Sequence, residues 1–323
     1  MKSESDALCQ KIYSLLSEII KEYSADGLLL SGGIDSSLIA SIQKPKYAFT
    51  VTLEDFGSDI KYSEEIASRF CLHHIKVKTK YQDVLKIEEK IIELFQTFDP
   101  IFIRNTSVIY AGVQSAACLG LSSLLTGDGG DELFAGYNYL KRYHTDLVKL
   151  DVELKRLWEI MHFPSETIGS YLKVKINSPF LHKKFVNFAK SLSTSLKIGK
   201  YDNKTWGKYP LRLCLSKTKY MEKYSWREKE AQEEGSGFSR IENYFNTNIS
   251  DTEFILKSKK IKEEGVTIRN KEHLFYYTTF RKYFPSPRDS TPDANIRCPD
   301  CHGQYTWSGK FCRLCGAFPV TPI

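Results

Sequence analysis

No stretch of this 323-residue chain approaches eighteen consecutive apolar residues, and Met1 to Ser5 are polar rather than signal-like. A membrane span is therefore not expected, and the protein reads as soluble and cytoplasmic. No internal repeat is visible. Neither sign of charge dominates: 46 Lys and Arg face 39 Asp and Glu, for a net +7. The basic run Lys257, Lys259, Lys260 and Lys262 is diluted by Glu263 and Glu264 and reads as a solvated face. The apolar share, 41%, suffices for one large domain with a small appendage.

A lysine is also missing from the first notable motif. Ser31-Gly32-Gly33-Ile34-Asp35-Ser36-Ser37 follows the apolar run Gly27-Leu28-Leu29-Leu30 and leads into Leu38-Ile39-Ala40. A glycine turn between a strand and a helix opened by small polar residues makes a backbone anion site. Neither GxxxxGK[ST] nor GxGxxG is present. Asp35 would repel phosphate unless a cation lay between them, and Mg²⁺ suits one or two carboxylates plus phosphate oxygens. The bland reading is a serine-capped glycine turn.

A second loop, Gly127-Asp128-Gly129-Gly130-Asp131-Glu132, follows the apolar run Leu121 to Thr126. Three acids among three glycines at a strand end suit a further metal-ligand loop, and loops at the carboxyl ends of parallel strands converge on one crevice. The pattern predicts strands near 27–30, 46–52, 73–78 and 121–126, and helices near 36–43, 62–70, 81–96 and 106–118. This is a doubly wound α/β sheet. From about 139 to 285 the pattern turns helical, as a subdomain closing over the crevice would.

SGGIDSS followed by GDGGDELFAGY resembles the synthetase domain of asparagine synthetases and related N-type ATP pyrophosphatases, whose fold is of the HUP, adenine-nucleotide alpha hydrolase kind. Similar stretches follow in the same order: Phe49 to Leu53, Phe98-Asp99 with Ile103-Arg104, Pro179-Phe180-Leu181, Lys208 to Arg212, Arg227 to Glu230, Lys271-Glu272-His273, and Tyr277 through Pro285. The resemblance covers roughly residues 25 to 287. It implies activation of a carboxylate by ATP as an acyl-adenylate, with release of pyrophosphate, and then attack by ammonia.

On that resemblance, Ser31, Gly33, Asp35, Ser36 and Ser37 hold the pyrophosphate portion of ATP, Gly127 is a further ATP-binding position, and Asp131 is the second magnesium acid. Arg104 and Lys208 match two cationic positions, one on substrate or pyrophosphate and one near the transferring group; the bland reading of both is a solvated basic side chain. Asp128 stands where the family usually has Glu, the acid that handles the ammonia proton. Glu166 is a loosely matched further acid. Leu30 and Val51 are expected at the adenine, with ordinary core residues as the alternative.

The departures fall on the acceptor side. Ile101 and Phe102 replace polar residues before Ile103-Arg104, Lys175 to Ser178 replaces a Glu-x-Arg pattern, and His182 replaces an Asp. Polar sites reject mismatched groups strongly, so aspartate is the expected acceptor but another carboxylate remains open. The glutamine-hydrolysing members begin with a nucleophilic Cys, whereas this chain begins Met1-Lys2-Ser3. Its first cysteine, Cys9, sits on the apolar side of a helix expected from about Asp6 to Tyr23. Nitrogen is expected as free ammonia, from a separate glutaminase subunit, or not at all.

Cys9, Cys71, Cys118 and Cys214 sit in apolar contexts expected of reduced, buried thiols. The other four form Cys298-Pro-Asp-Cys301 and, ten residues on, Cys312-Arg-Leu-Cys315. Two CxxC pairs read as a zinc ribbon. Zinc would supply folding energy that Tyr305, Trp307, Phe311 and Phe318 cannot. CxxCH at Cys298 to His302 is also a haem pattern, which the second CxxC argues against. The expected organisation is an N-terminal helix (1–24), an ATP pyrophosphatase domain (25–284), a proline-bearing linker (285–296) and the ribbon (297–323). The ribbon is read as a structural cap. The alternative function is adenylation of another acceptor such as a tRNA base, with nucleic acid guided by the ribbon.

Overall fold

The computed structural model describes residues 2–23, 25–291, 294–305 and 310–321. Trp307 of the expected ribbon core and Pro292-Asp293 of the expected linker lie outside them. The chain opens with helix α1 (Lys2–Lys21), then strand β1 (Gly27–Leu29), α2 (Ile34–Gln43), β2 (Tyr47–Leu53), α3 (Asp59–Arg69) and β3 (His73–Thr79). Helices α4 (Tyr81–Phe95) and α5 (Pro100–Cys118) lead to β4 (Ser123–Leu125) and the short α6 (Gly130–Leu133). Next come α7 (Leu147–Ile160), α8 (Ser165–Leu172), β5 (Lys175–Asn177), α9 (Lys183–Ser191), the hairpin β6 (Gly199–Tyr201) and β7 (Lys204–Trp206), and α10 (Tyr209–Ser216). Six helices follow: α11 (Glu222–Ser225), α12 (Gln232–Gly235), α13 (Ile241–Asn248), α14 (Asp251–Glu263), α15 (Lys271–Tyr283) and α16 (Pro287–Ser290).

Strand order in the main sheet is β3-β2-β1-β4-β5. Strand β1 pairs in parallel with β2, Leu28 opposite Ala48, and with β4, Leu28 opposite Leu125. Strand β4 pairs in parallel with β5, Leu124 opposite Ile176. The doubly wound α/β class is therefore present, and the strand order reverses between β1 and β4. That reversal is the topological switch point, where the loops leaving two neighbouring strands part and open a crevice.

Two compact units partition the chain: residues 1–51, 58–77 and 112–231 form one, and residues 52–57, 78–111 and 232–323 the other. In the first, α1 lays Ile12, Leu16, Ile19 and Ile20 against a core shared with Leu28, Leu38, Phe134 and Leu211, all buried. Cys9 and Cys214 lie in the same core. Cys71 and Cys118 do not follow the expectation: both are exposed. Cys71 follows the end of α3 and Cys118 is the last residue of α5, where the chain turns at the surface; beside Cys118, Leu119 is exposed too. The second unit is centred on Phe98, which packs on His273, Tyr277 and Phe280 at centroid distances of 5.0–5.4 Å.

One buried cation in the first unit is paired by no carboxylate. Lys197 is fully buried, its ammonium lies 4.6 Å from the Trp158 ring centroid, and it has no hydrogen-bond partner. Burial pulls its pKa down to about 8, against the opposing charge of Asp151. The unfolded chain therefore binds more protons between pH 8 and 10.5, so the wild type gains stability across that window and bears the full cost below it. Lys197→Met is expected to be more stable than wild type at pH 7 by up to about 3 kcal/mol, an advantage that shrinks towards pH 10. Paired urea titrations at the two pH values check this; a pH-independent difference would refute it.

Candidate active site

The turn after β1 is built to leave donors free. Gly33 caps α2 without any side-chain cap, so the first-turn N–H groups of a ten-residue helix are not consumed by a capping side chain. The Ser31 hydroxyl accepts from the Gly33 N–H at 3.2 Å and lies 3.4 Å from the Ser36 hydroxyl, which donates to the Gly33 carbonyl. Ser37 is fully buried and its hydroxyl has no partner. Gly32 is at φ +70, and a Cβ there would press on Tyr62 and Ser63 of α3. Only glycine fits such a turn at such a distance.

Across the switch point, the glycines of the second loop have a definite purpose. A Cβ at Gly127 or Gly130 would overlap Asp35, and one at Gly136 would overlap Asp131 and Lys208. The backbone of the loop thus presses directly on a cluster of Asp35, Asp131 and Lys208. The Lys208 ammonium bonds to Asp35 Oδ2 and lies 2.9 Å from Asp131 Oδ1, while Lys229 lies 3.2 Å from Asp131 Oδ2. Lys208 is 5% exposed and sits at φ +53 as the cap of α10, an unfavourable backbone for a side chain of its size. Asp35 Oδ1 is buried without a hydrogen bond.

Electrostatics follow from this packing. Burial opposes ionisation of Asp131, but Lys208 and Lys229 outweigh it and hold its carboxyl below the usual range. Burial pushes Asp35 up, with Lys208 opposing. Burial likewise disfavours the Lys208 ammonium, yet Asp131 and Asp35 raise its pKa above the ordinary lysine value, so it stays charged. A free carboxylate oxygen in a cluster of two acids is the donor set a hard divalent cation takes, so the residues present fit magnesium.

Asp128, immediately after Gly127, is held differently. Its Oδ2 accepts from Thr126 at 2.9 Å, from Ser165 at 2.6 Å and from Ser178 at 3.4 Å. Burial raises its pKa, with these three hydroxyls opposing. Glu166 stands beside it in the first turn of α8, exposed. Leu30 and Val51 are both buried; the Leu30 N–H donates to the Phe49 carbonyl at 2.8 Å and its own carbonyl accepts from Thr50.

Arg104 belongs to the second unit, on α5. Its guanidinium is 2.8 Å from Glu233 and 3.2 Å from Glu272, so it is an ion-paired cation rather than a solvated one. Glu272 in turn lies 3.0 Å from the Tyr276 hydroxyl, which is 2.7 Å from the buried Glu88. Of the two apolar replacements, Ile101 is exposed and Phe102 packs against Phe95 at 5.2 Å.

Three further residues join the first-unit site without having been singled out individually. Lys229 is one. Arg227 donates to the Ser31 carbonyl at 3.3 Å and to Asp59 at 2.9 Å, with its guanidinium 3.9 Å from the Tyr62 ring centroid, tying the first loop to α3. Asp59 is pushed up to about 6 by burial, against Arg227. Arg212 is buried and spends its donors on the carbonyls of Gly207, Ser225 and Arg227. It fixes the backbone that presents Lys208 and Arg227. The only sequence signal was that these residues fall in the Lys208 to Arg212 and Arg227 to Glu230 stretches.

The four clustered cysteines occupy the second unit. Their sulfurs lie within 4.8 Å of one another, with Cys298 to Cys315 and Cys301 to Cys312 both at 3.8 Å. Four thiolates at ~2.3 Å from a tetrahedral ion stand about 3.8 Å apart, whereas a disulfide needs ~2.05 Å. The two knuckles repeat one hydrogen-bond pattern. His302 N–H donates to the Cys298 carbonyl and Cys298 N–H to Gly303; Gly316 N–H donates to Cys312 and Cys312 N–H to Ala317. His302 and Gly316 share positive φ, at 54° and 75°.

Each knuckle is fastened to the unit that carries it. Phe98 N–H and the Thr97 hydroxyl donate to the Leu314 carbonyl at 2.8 and 3.0 Å, just before α5 begins. Arg269 binds the Cys315 carbonyl, and Thr267 N–H donates to Asp300 at 2.7 Å. In the preceding segment, Ser286 caps the helical turn α16 and Arg297 bonds to the Thr291 and His302 carbonyls. Tyr305 is buried, Phe311 half-buried and Phe318 exposed.

Residues 24–159 match the family described as asparagine synthase. The chain is similar to glutamine-hydrolysing asparagine synthetase 1 of Lotus japonicus, at 28% identity over 295 residues, covering 83% of this chain and 50% of the relative. Glutamine-hydrolysing asparagine synthetase 2 of Arabidopsis thaliana is 28% identical over 324 residues, covering 90% and 55%. The chain thus spans about half the length of the curated relatives it matches. Among solved structures, a predicted subunit of a tRNA methyltransferase from Methanocaldococcus jannaschii overlaps 51% of this chain and 74% of that one, at 20% identity and a TM-score of 0.29, too loose to carry an argument. No helix among the described residues is long and apolar enough to cross a membrane.

Proposed function

We propose that this chain is an ATP-dependent carbon–nitrogen ligase of asparagine-synthetase type, which activates a carboxylate, aspartate by preference, as an acyl-adenylate and passes it to ammonia. The observation that carries the reading is the cluster in which Asp35 and Asp131, carried by the segments after β1 and β4 at the switch point of the sheet, meet Lys208 from the cap of α10. The free amides of α2 and the hydroxyls of Ser31, Ser36 and Ser37 receive the phosphates, with Gly33 and Gly127 admitting them close to the backbone. Asp35 and Asp131 would hold magnesium, which when bound offsets the charge gathering on pyrophosphate as it leaves. Lys208 supplies a movable positive charge to the same phosphates.

Asp128, raised by burial and oriented by three hydroxyls, can accept the proton that ammonia sheds on attack. Leu30 and Val51 flank the adenine in this reading, and Arg104, aligned by Glu233 and Glu272, is the second substrate cation. The ammonia arrives free or from a glutaminase. The four cysteines hold zinc, and the ribbon expected over residues 297–323 acts as a structural cap.

Pyrophosphate release from ATP and Mg²⁺ tests this, compared across aspartate with ammonium, other amino-acid carboxylates, and bulk tRNA. Release with aspartate and ammonium, accompanied by AMP and asparagine, is expected. Release with tRNA alone would replace the amidation reading by adenylation of a nucleic-acid acceptor, and release with none would refute both.

A further inference from the structure

The cluster of Asp35, Asp131, Lys208 and Lys229 is electrically complete without any metal. Two carboxylates face two ammonium groups, each contact lies within 3.2 Å, and the Lys208 ammonium touches both acids at once. Lys208 therefore takes up the bridging position that a divalent cation would take between Asp35 and Asp131. It is held there by the left-handed turn at its own backbone and by the close approach of Gly136 to its Cε.

A divalent ion entering this cluster alone would leave it two charges in excess, with an ammonium only a few ångströms from the metal. Attraction from the acids would then be largely spent, because like charges at such range repel strongly in a partly buried site. A metal that arrives already bound to a polyphosphate brings its own negative oxygens. These can accept the displaced ammonium, so charge stays balanced throughout.

We infer that Lys208 occupies the divalent-cation position of the free protein, so that the site excludes free metal and admits it as the metal–polyphosphate complex, onto whose phosphates the ammonium then transfers. This rests on the reading of Asp35 and Asp131 as a metal–phosphate site. It makes Lys208 a gate on the order of binding as well as a phosphate contact. It also accounts for Asp35 Oδ1, which is buried without a hydrogen bond: that oxygen gains a partner only when the ammonium has moved off and the metal has come in.

The test uses Mn²⁺ as the probe, followed by the loss of its free-ion electron paramagnetic resonance signal, on the full chain with its cysteine cluster loaded with zinc. Wild type is expected to bind Mn²⁺ at least ~10-fold more weakly alone than with inorganic pyrophosphate, and Lys208→Gln to bind Mn²⁺ alone at least ~10-fold more tightly than wild type. Asp35→Asn, alone and combined with Lys208→Gln, identifies the fraction bound at this site. Tight binding of Mn²⁺ to free wild type that Asp35→Asn removes would overturn the inference while leaving the metal–phosphate reading intact. Binding with pyrophosphate that Asp35→Asn leaves unchanged would overturn that reading itself. Both outcomes are available without Lys208→Gln, so the inference stays open to refutation even if that variant does not fold.

Discussion

Asp35→Ala is expected to lower ATP-dependent pyrophosphate release by about 10²–10³-fold, the scale at which loss of one preorganised charge-stabilising group acts. The side chain sits in the first turn of α2 and bonds to Lys208, and the backbone of Gly127 and Gly130 packs on it without intervening atoms. Shortening it removes a carboxylate and opens space between the two loops, but Lys208 keeps Asp131 as its partner at 2.9 Å. The fold should therefore survive better than the activity. Initial rates and thermal melting of the same preparation separate the two. Retained activity in a folded variant would move the phosphate site elsewhere, and joint loss of fold and activity would make Asp35 structural.

The second large effect is expected at the cysteine cluster. Elemental analysis of the purified protein should return one zinc per chain, and Cys301→Ser should lose it. Structural zinc contributes ~10–16 kcal/mol of apparent binding energy to small ribbons. Here the ribbon is fastened to a larger unit, so even a quarter of that sum, ~3 kcal/mol or more, would lower the melting temperature by roughly 6–12 °C for a unit of this size. The loss should also reach α5, because Thr97 and Phe98 hold the carbonyl of Leu314. Limited proteolysis should open the chain near residue 97 as well as within the ribbon. Cleavage confined to residues 297–321, with an unchanged melting temperature, would show the ribbon to be an independent appendage.

The parts of this protein that were legible in its sequence are those whose signal is local. Glycine beside hydroxyls and acids marked both loops, and CxxC spacing marked the cysteine cluster. The hydrophobic period placed β1 to β4 and α2 to α5 within a few residues, although α5 begins at Pro100 rather than near 106. What escaped was carried by partners distant in sequence. Nothing around Lys229 announces Asp131, and nothing around Arg227 announces Asp59. The ties of the ribbon end on backbone carbonyls, which leave no side-chain pattern. Strand β5 has only three residues, too few for a period. The β6–β7 hairpin did leave a trace: Asp202-Asn203, both with positive φ, form the kind of two-residue turn such a hairpin prefers.

The contact among Glu88, Tyr276 and Glu272 sets a proton count for the folded chain. One phenolic hydrogen faces two carboxyl groups, at 2.7 and 3.0 Å, and can serve only one of them. The other must bring a hydrogen of its own. Glu88 is the group placed to do so, since burial drives it well above the usual carboxylate range and its second oxygen has no partner; burial also raises Glu272, to about 7, against Arg104. The formal charge of +7 treats every acid as ionised. A carboxyl raised in the folded chain holds its proton at pH values where the unfolded chain has released it, so this network shifts the native charge to the positive side of the formal value and its contribution to stability falls as pH rises.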